Sequence, residues 1–371
     1  MEYSNTIVIS AVNLIEGGTL SILKKCVQEI AQYNADGKYK VIVLVHSADI
    51  LPSYENVEYI AYPTSKKSWF IRMFYEYIYF YFLSLKIKPL IWISLHDMTP
   101  SVRSKYLYVY MHNPSPFFQK RGELHLSWKF RLFVLFYKYV YRINVKKNTA
   151  VIVQQDWFRT KISELCKLPK EKVIVAYPEF AKTDISDYDG KYNKNQFFFN
   201  AFPREFKNFE IICEAADILQ KNGFADYDWN VYLTIDGTEN NYSKAVVERF
   251  KSNPHIHFTG LVSREKCEAF YRSSEALIFP SLLETWGLPI SEFKLYKKKM
   301  ILADLPYAHE AANGAESGCF FNPADAQQLA KIMESVITNK SEKYFSQLLK
   351  LDVSEPFCST WTFLFDKIIK E

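Results

Sequence analysis

The chain has 371 residues, of which 49% are hydrophobic, 17% aromatic and 23% charged, and it carries a net charge of +5. That length suits two domains of ordinary size rather than one core, and a globular composition without low-complexity tracts argues against disordered and fibrous classes. The longest charge-free stretch of the aromatic region, residues 77–85, is far too short to cross a bilayer.

The amino-terminal Met1-Glu2-Tyr3-Ser4-Asn5 is polar and acidic and leads straight into a strand-like run. It lacks the basic start and apolar core of a signal peptide, so a cytoplasmic location is expected. Cys26, Cys166, Cys213, Cys267, Cys319 and Cys358 are widely scattered, which argues against a disulfide framework or a zinc site and for reduced core thiols.

Strand-like runs at 6–12, 41–46, 57–61, 90–95, 107–112, 150–153 and 173–177 alternate with helical segments, the grammar of βαβ units. After the first run, Asn13-Leu-Ile-Glu-Gly17-Gly18-Thr19 leads into a helix expected to begin near Leu20. Adjacent glycines let backbone N–H groups approach a ligand at a helix start, although such a pair serves equally as a plain turn. The dinucleotide fingerprint G-x-G-x-x-G and the P-loop motif are both missing, which counts against a dehydrogenase and a P-loop nucleotidase.

Residues 69–82 hold nine aromatics in fourteen positions, and residues 101–150 hold ten Lys and Arg against one acid, Glu123. This segment is therefore +9 and the remainder of the chain −4. Three readings compete: amphipathic helices with solvated basic faces, a surface that docks on an anionic membrane, and, third, a nucleic-acid surface without a recognisable module. His112 ends the 107–112 strand ahead of Asn113-Pro-Ser-Pro, where a histidine either points into a cleft or packs structurally. His46 and His96 also follow strands and are its rivals.

A polar stretch, 179–195, reads as a linker, after which the pattern restarts with strands at 196–200, 231–235, 256–258, 276–279, 300–303 and 319–321. Helices are expected at 209–220 and 264–272, and 361–369 is apolar along one side. In the loop Asn200-Ala-Phe-Pro-Arg204-Glu-Phe-Lys207-Asn208, Lys207 offers a flexible point charge to a diphosphate and Arg204 a forked donor. Cations at a helix start oppose its dipole, which favours a bound anion over a merely solvated face. Thr259-Gly260-Leu261-Val262-Ser263 links a strand to a helix.

Residues 277–292 read Leu-Ile-Phe-Pro-Ser-Leu-Leu-Glu-Thr-Trp-Gly-Leu-Pro-Ile-Ser-Glu, a buried strand, a tight loop and a helix start. Pro289 fits the first helical position with Leu288 as N-cap, which puts Glu292 in the first turn and Glu284 in the loop. Both glutamates can then face a ligand outside the strand ends, with backbone N–H groups of Thr285, Trp286, Gly287 and Leu288 turned to its phosphates. A first-turn glutamate is also what the macrodipole alone favours, by about 0.3–1 kcal/mol.

The Pro-Ser, Glu284, Gly-Leu-Pro and Glu292 positions resemble, in register, the E-x7-E segment of the retaining glycosyltransferases of family 4, the group 1 enzymes with a GT-B fold. The resemblance implies an α/β protein of two Rossmann-like doubly wound domains facing a cleft. Residues 1–178 would form the acceptor-side domain, 179–195 the linker, 196–355 the nucleotide-sugar domain, and 356–371 a helix crossing back to the first.

It further implies that Glu284 holds hydroxyls of the donor sugar and Glu292 the ribose. Gly17 and Gly18 would touch donor phosphate or acceptor, His112 the transferred sugar, Lys207 and Arg204 the diphosphate, and Gly260 and Leu261 the base through their backbone. The expected reaction is transfer from a nucleotide diphosphate sugar to a hydroxyl of a glycan or lipid-linked glycan, with retention and without a settled nucleophile. No metal or resident cofactor and no nucleic acid are expected, while the basic block suggests a peripheral membrane contact.

Two departures from the family's pattern stand out. Ala201 occupies roughly the place of its phosphate-binding arginine, and Lys294-Leu-Tyr-Lys-Lys-Lys299 replaces small residues, read here as an exposed helix end. A metal-dependent GT-A transferase would need an Asp-x-Asp after an apolar strand, and neither Asp187-Tyr-Asp189 nor Asp226-Tyr-Asp228 is so placed. A sugar-nucleotide epimerase and a non-catalytic GT-B partner that binds a nucleotide sugar or docks on a membrane are the remaining alternatives.

Overall fold

A computed structural model of the chain describes residues 2–118, 128–179 and 185–369. These fall into two compact units, one running to 117, from 128 to 179 and from 353 onward, the other from 185 to 352. Part of the basic segment, 119–127, and part of the expected linker, 180–184, lie outside the described residues.

The first unit begins with β1 (Ser4–Ala11), α1 (Gly17–Tyr33), β2 (Lys40–Val45) and β3 (Val57–Ala61). The aromatic segment is α2 (Trp69–Phe74), a π-helical stretch over Tyr75–Tyr79 and α3 (Phe80–Ile87). Then come β4 (Pro89–Ser94), β5 (Tyr106–Met111), α4 (Trp128–Arg142), β6 (Ala150–Val153), α5 (Asp156–Cys166) and β7 (Val173–Ala176).

The second unit holds β8 (Asn193–Phe199), α6 (Phe209–Leu219), β9 (Asn230–Leu233), α7 (Asn241–Phe250), β10 (Ile256–Phe258) and α8 (Arg264–Ser273). It continues with β11 (Ser274–Phe279), α9 (Leu288–Lys294), β12 (Lys299–Ala303), α10 (Pro306–Ala311), β13 (Gly318–Phe321) and α11 (Ala326–Ile337). The chain then returns to the first unit, where β14 (Phe357–Cys358) pairs with β7 and α12 (Trp361–Ile369) packs on α1.

Each unit is built on one sheet whose paired strands are all parallel, ordered β14-β7-β6-β5-β4-β1-β2-β3 in the first and β10-β9-β8-β11-β12-β13 in the second. Parallel sheets are covered on both faces, so their strands read as unbroken apolar runs. In β1 the alternation of side chains sends Ile7, Ile9 and Ala11 into a core with Leu23, Val27 and Ile30 of α1 and Leu364 and Phe365 of α12. Val8 goes to the opposite face with Phe80 and Trp92. Burying one such side chain contributes about 1.5–3 kcal/mol over leaving it exposed.

In both sheets the order of connection reverses at one place, between β1 and β4 and between β8 and β11. Loops leaving the carboxyl ends of those strands bound the crevice where doubly wound sheets hold ligands.

Several local expectations shift. α1 starts at Gly17 rather than near Leu20, with Glu16 as N-cap. The π-helical stretch breaks the aromatic helix and turns Glu76 fully inside, a local insertion of the kind found at functional positions. All six cysteines are buried and free. Among the described residues, no helix is long and apolar enough to cross a membrane.

Candidate functional site

In the second unit the two loops at the reversal point are joined to one another. The chain leaves β8, makes a 3₁₀ turn over Glu205–Lys207 and enters α6 through Asn208, whose φ of +59° is tolerated because asparagine accepts the left-handed region. Buried Asn208 donates its side-chain amide to the carbonyls of Pro280 and Pro323, at 3.3 and 2.9 Å. The Leu282 N–H donates to the Phe206 carbonyl at 2.7 Å. This stitching brings Lys207 into an ion pair with Glu284, their side chains 18% and 15% exposed.

Gly287 stands between that loop and α9 with φ +83°, and a Cβ there would lie 3.2 Å from Ile290 Cδ1, so the turn requires glycine. Gly287 is the N-cap and Leu288 the first helical residue, one position earlier than expected. Glu292 therefore lies beyond the first turn, and the macrodipole does not account for it.

Glu292 is 8% exposed and is held from two sides. Its Oε2 accepts the Tyr271 hydroxyl at 2.9 Å and its Oε1 accepts Arg264 Nη1 at 2.5 Å. Arg264 also donates Nε to Glu268 at 3.0 Å. An ionised carboxylate has about four lone-pair sites, so two hydrogen bonds leave capacity for a ligand hydroxyl. Tyr271 is pushed well above the ordinary tyrosine range, first by burial and then by the adjacent Glu292 charge, which keeps its hydroxyl a donor.

Other expected residues are distributed more loosely. Arg204 is exposed, its guanidinium 5.4 Å from the Phe202 ring, and it has no ion pair among the described residues. Gly260 takes φ +67°, and a Cβ would meet Asp236 Oδ2 at 2.7 Å, so its backbone lies against the loop after β9. Leu261 beside it is 56% exposed. Thr285 and Leu288 are half-buried, while Trp286 is buried and donates its indole N–H to Ser291 Oγ at 2.9 Å.

Gly17, Gly18 and His112 belong to the first unit, the glycines exposed at the start of α1 and His112 just past β5. Of the three histidines that follow strands there, His46 Nδ1 lies 3.2 Å from Ser65 Oγ. His96 Nε2 lies 3.0 Å from Glu76 and 3.1 Å from Ser10 Oγ. His112 differs from both, because its Nδ1 is buried without a hydrogen-bond partner.

Sequence reasoning overlooked Arg264 and Tyr271. They are seven residues apart on α8, a spacing that returns to the same helix face, and Arg264 opens the helix directly after the Gly260 loop. The expectation of an exposed helix end at 294–299 is corrected. Lys298 is buried, donates Nζ to the carbonyls of Tyr271, Arg272 and Ser274, and is lowered to about 7 by burial, opposed by Glu275. It satisfies the carbonyls of Tyr271 and Arg272 in the last turn of α8 and that of Ser274 at the start of β11. Lys294 reaches the Asn313 carbonyl at 3.0 Å and Lys299 pairs with Glu275 at 2.6 Å.

The chain is similar to known proteins in sequence and fold. Residues 184–347 match the family model described as glycosyl transferases group 1. The O-antigen chain mannosyltransferase RfbU of Salmonella typhimurium is 22% identical over 288 residues, 74% of this chain and 73% of that protein. Among solved structures, a glycosyltransferase from Rickettsia africae superposes with a TM-score of 0.62 at 16% identity, covering 90% of this chain and 88% of that one. WaaG, a glycosyltransferase involved in lipopolysaccharide biosynthesis, gives 0.61 at 14% identity over 90% of each chain. Anabaena Alr3699/HepE in complex with UDP-glucose gives 0.58 at 15% identity over 91% of each. The fold is GT-B.

Proposed function

We propose that the protein is a retaining glycosyltransferase of cell-surface polysaccharide or lipid-linked glycan synthesis, a reading supported by the match of residues 184–347 to the group 1 glycosyl transferase model. It moves a sugar from a nucleotide diphosphate sugar to an acceptor hydroxyl. The observation that carries this reading is the placement of Lys207, Glu284 and Glu292 at the reversal point of the second sheet, each held by side chains from a neighbouring loop or helix.

Breaking the glycosidic bond to a diphosphate builds negative charge on the leaving oxygen, and positioned cations stabilise that charge most in a partly dehydrated site. Lys207 supplies it from a side chain that is mostly buried. Glu284 orients sugar hydroxyls and is assigned no nucleophilic role. Glu292 takes the ribose hydroxyls with its remaining acceptor capacity, and Gly260 lets backbone approach the base.

Thermal-shift screening against GDP-mannose, UDP-glucose and UDP-galactose is the first test, since a binder raises melting according to its affinity. Product from an α-linked donor should be α-linked by NMR; a β-linked product overturns retention, and no shift with any nucleotide sugar overturns the donor class.

We further propose an anionic phospholipid surface as docking partner for α2 and α4. Trp69, Phe70 and Phe74 of α2 and Leu132, Leu135, Phe136 and Tyr139 of α4 are all exposed. The Trp69 ring meets the Phe136 ring edge-on at 5.3 Å and joins the two helices into one apolar face. Residues 128–147 contain no acid and add Arg131, Lys138, Arg142, Lys146 and Lys147. Apolar and cationic groups together fit an anionic interface, each basic side chain adding about 1 kcal/mol near the headgroups. Replacing Arg131, Lys138 and Arg142 together by serine should weaken co-sedimentation with phosphatidylglycerol vesicles and flatten its salt dependence. Unchanged binding would leave those residues as ordinary surface.

A further inference from the structure

The first unit also has a reversal point, and β4 delivers Leu95-His96-Asp97 to it beside the turn that carries His112. Asp97 is 3% exposed and takes φ +71°, a conformation that costs a non-glycine residue energy and persists only where surrounding contacts hold it. Those contacts are specific. Its Oδ1 accepts the backbone N–H groups of His112 and Asn113 at 2.7 and 3.1 Å, and the Tyr141 hydroxyl lies 3.1 Å from the same oxygen. Its other oxygen, Oδ2, faces the His112 ring, 3.8 Å from Nε2.

We infer that Asp97 is a positioning residue for His112: it selects the Nε2–H tautomer and so leaves the unpartnered Nδ1 as acceptor for a sugar hydroxyl. This rests on the reading that His112 meets the transferred sugar.

The chemistry follows from what each group can do. A carboxylate only accepts, and a neutral imidazole has one donor and one acceptor nitrogen, so a carboxylate facing Nε2 favours the proton there. The lone pair then resides on Nδ1, the nitrogen that is buried without a partner. A carboxylate behind an imidazole also fixes ring orientation. The 3.8 Å separation exceeds a hydrogen bond, and such contacts commonly tighten when substrate binds.

His96 offers no such acceptor. Its Nε2 faces Glu76 and Ser10, and Arg72 Nη2 lies 3.5 Å from its Nδ1 while donating to its carbonyl at 2.8 Å. Asp97 thus serves the neighbouring strand's histidine rather than the one preceding it in sequence.

The test is the ring-nitrogen spectrum of the full chain labelled with ¹⁵N-histidine, the His112 signals being assigned by their loss in His112→Asn. The expected result is a protonated Nε2 and an unprotonated Nδ1. In Asp97→Asn the two backbone N–H donors keep Oδ1 in place while Nδ2–H faces the ring, so the proton should move to Nδ1.

Release of nucleoside diphosphate from whichever of GDP-mannose, UDP-glucose and UDP-galactose turns over fastest should then drop about 10- to 100-fold in kcat, with KM little changed. A wild-type Nδ1–H tautomer overturns the inference, as does an Asp97→Asn spectrum with the proton still on Nε2, whatever the activity. Parental kcat in His112→Asn would instead sink the sugar-contact reading, and the spectra would still decide what Asp97 does to the ring.

Discussion

Glu292→Gln separates a ribose contact from a structural one. In the folded chain the carboxylate accepts Tyr271 and Arg264, while Tyr271 also reaches Asn200 Oδ1 at 3.1 Å and Arg264 also holds Glu268. Both partners therefore retain a second acceptor when the charge is removed. Arg264 is 45% exposed, so solvent screens its pair, and the stability loss should stay within about 1–3 kcal/mol, mostly from the Tyr271 bond. A ribose hydroxyl donating to the same carboxylate is worth about 1.5–3 kcal/mol, or roughly 10- to 150-fold in Kd. Calorimetric titration with UDP, GDP and their 3′-deoxy analogues forms a cycle with the variant. The parent should prefer the ribonucleotide by that factor and Glu292→Gln should not, while urea denaturation reports stability separately. Equal discrimination by both proteins would refute the ribose assignment, even if the variant were less stable.

Three further outcomes follow from the same geometry. Lys207→Ala should lower kcat by about 10²- to 10³-fold in a nucleoside diphosphate release assay, and a loss under threefold would remove Lys207 from the leaving-group role. Gly260→Ala should cost about 1–3 kcal/mol in urea denaturation, because φ +67° and a Cβ 2.7 Å from Asp236 Oδ2 must both be relieved; a neutral variant would show that the loop after β9 yields freely. Stability should also fall with rising pH through Glu76, whose burial, opposed by Arg72, raises it to about 8. The folded chain keeps a proton that the unfolded carboxyl has already released, so this stabilisation is full at acid pH and is lost as pH climbs to 8. His96, held well below its ordinary value first by burial and then by Arg72, works in the opposite direction, but only below about pH 6.5. Lys298, lowered to about 7 by burial, also works in the opposite direction above that pH. The stability of the parent relative to Glu76→Gln should therefore fall by up to about 1.4 kcal/mol per unit between pH 6.5 and 8; a difference that does not change with pH would refute this.

Periodicity carried most of the fold. Runs such as 57–61, 150–153 and 256–258 coincide with β3, β6 and β10 because a parallel strand buried on both faces leaves a contiguous apolar signature. The two-residue β14 left none, since its pairing with β7 depends on where α12 packs rather than on its own composition. The π-helical stretch was equally silent: one extra residue in the turn moves Glu76 from solvent to core, and composition does not report that insertion.

The placement of the candidate site was legible where its parts are close in sequence. Glu284, Gly287 and Glu292 sit within one strand–loop–helix unit, so spacing alone implies their proximity, and Lys207 joins them because β8 and β11 are neighbours at the point where the sheet reverses. What spacing could not convey is which partner each polar group already has. The sequence left a helix dipole as the alternative reason for Glu292, yet it is positioned by Tyr271 and Arg264 from a preceding helix. In the sequence His112 is preferred over the weaker rivals His46 and His96, and the hydrogen-bond inventory separates a ring with an unpartnered buried nitrogen from two whose nitrogens face other side chains. An unpartnered buried atom does not make a site by itself, since Asn13, Tyr77 and Tyr110 also hold one; His112 is distinguished by its place after β5 and by the Asp97 carboxylate that faces its ring.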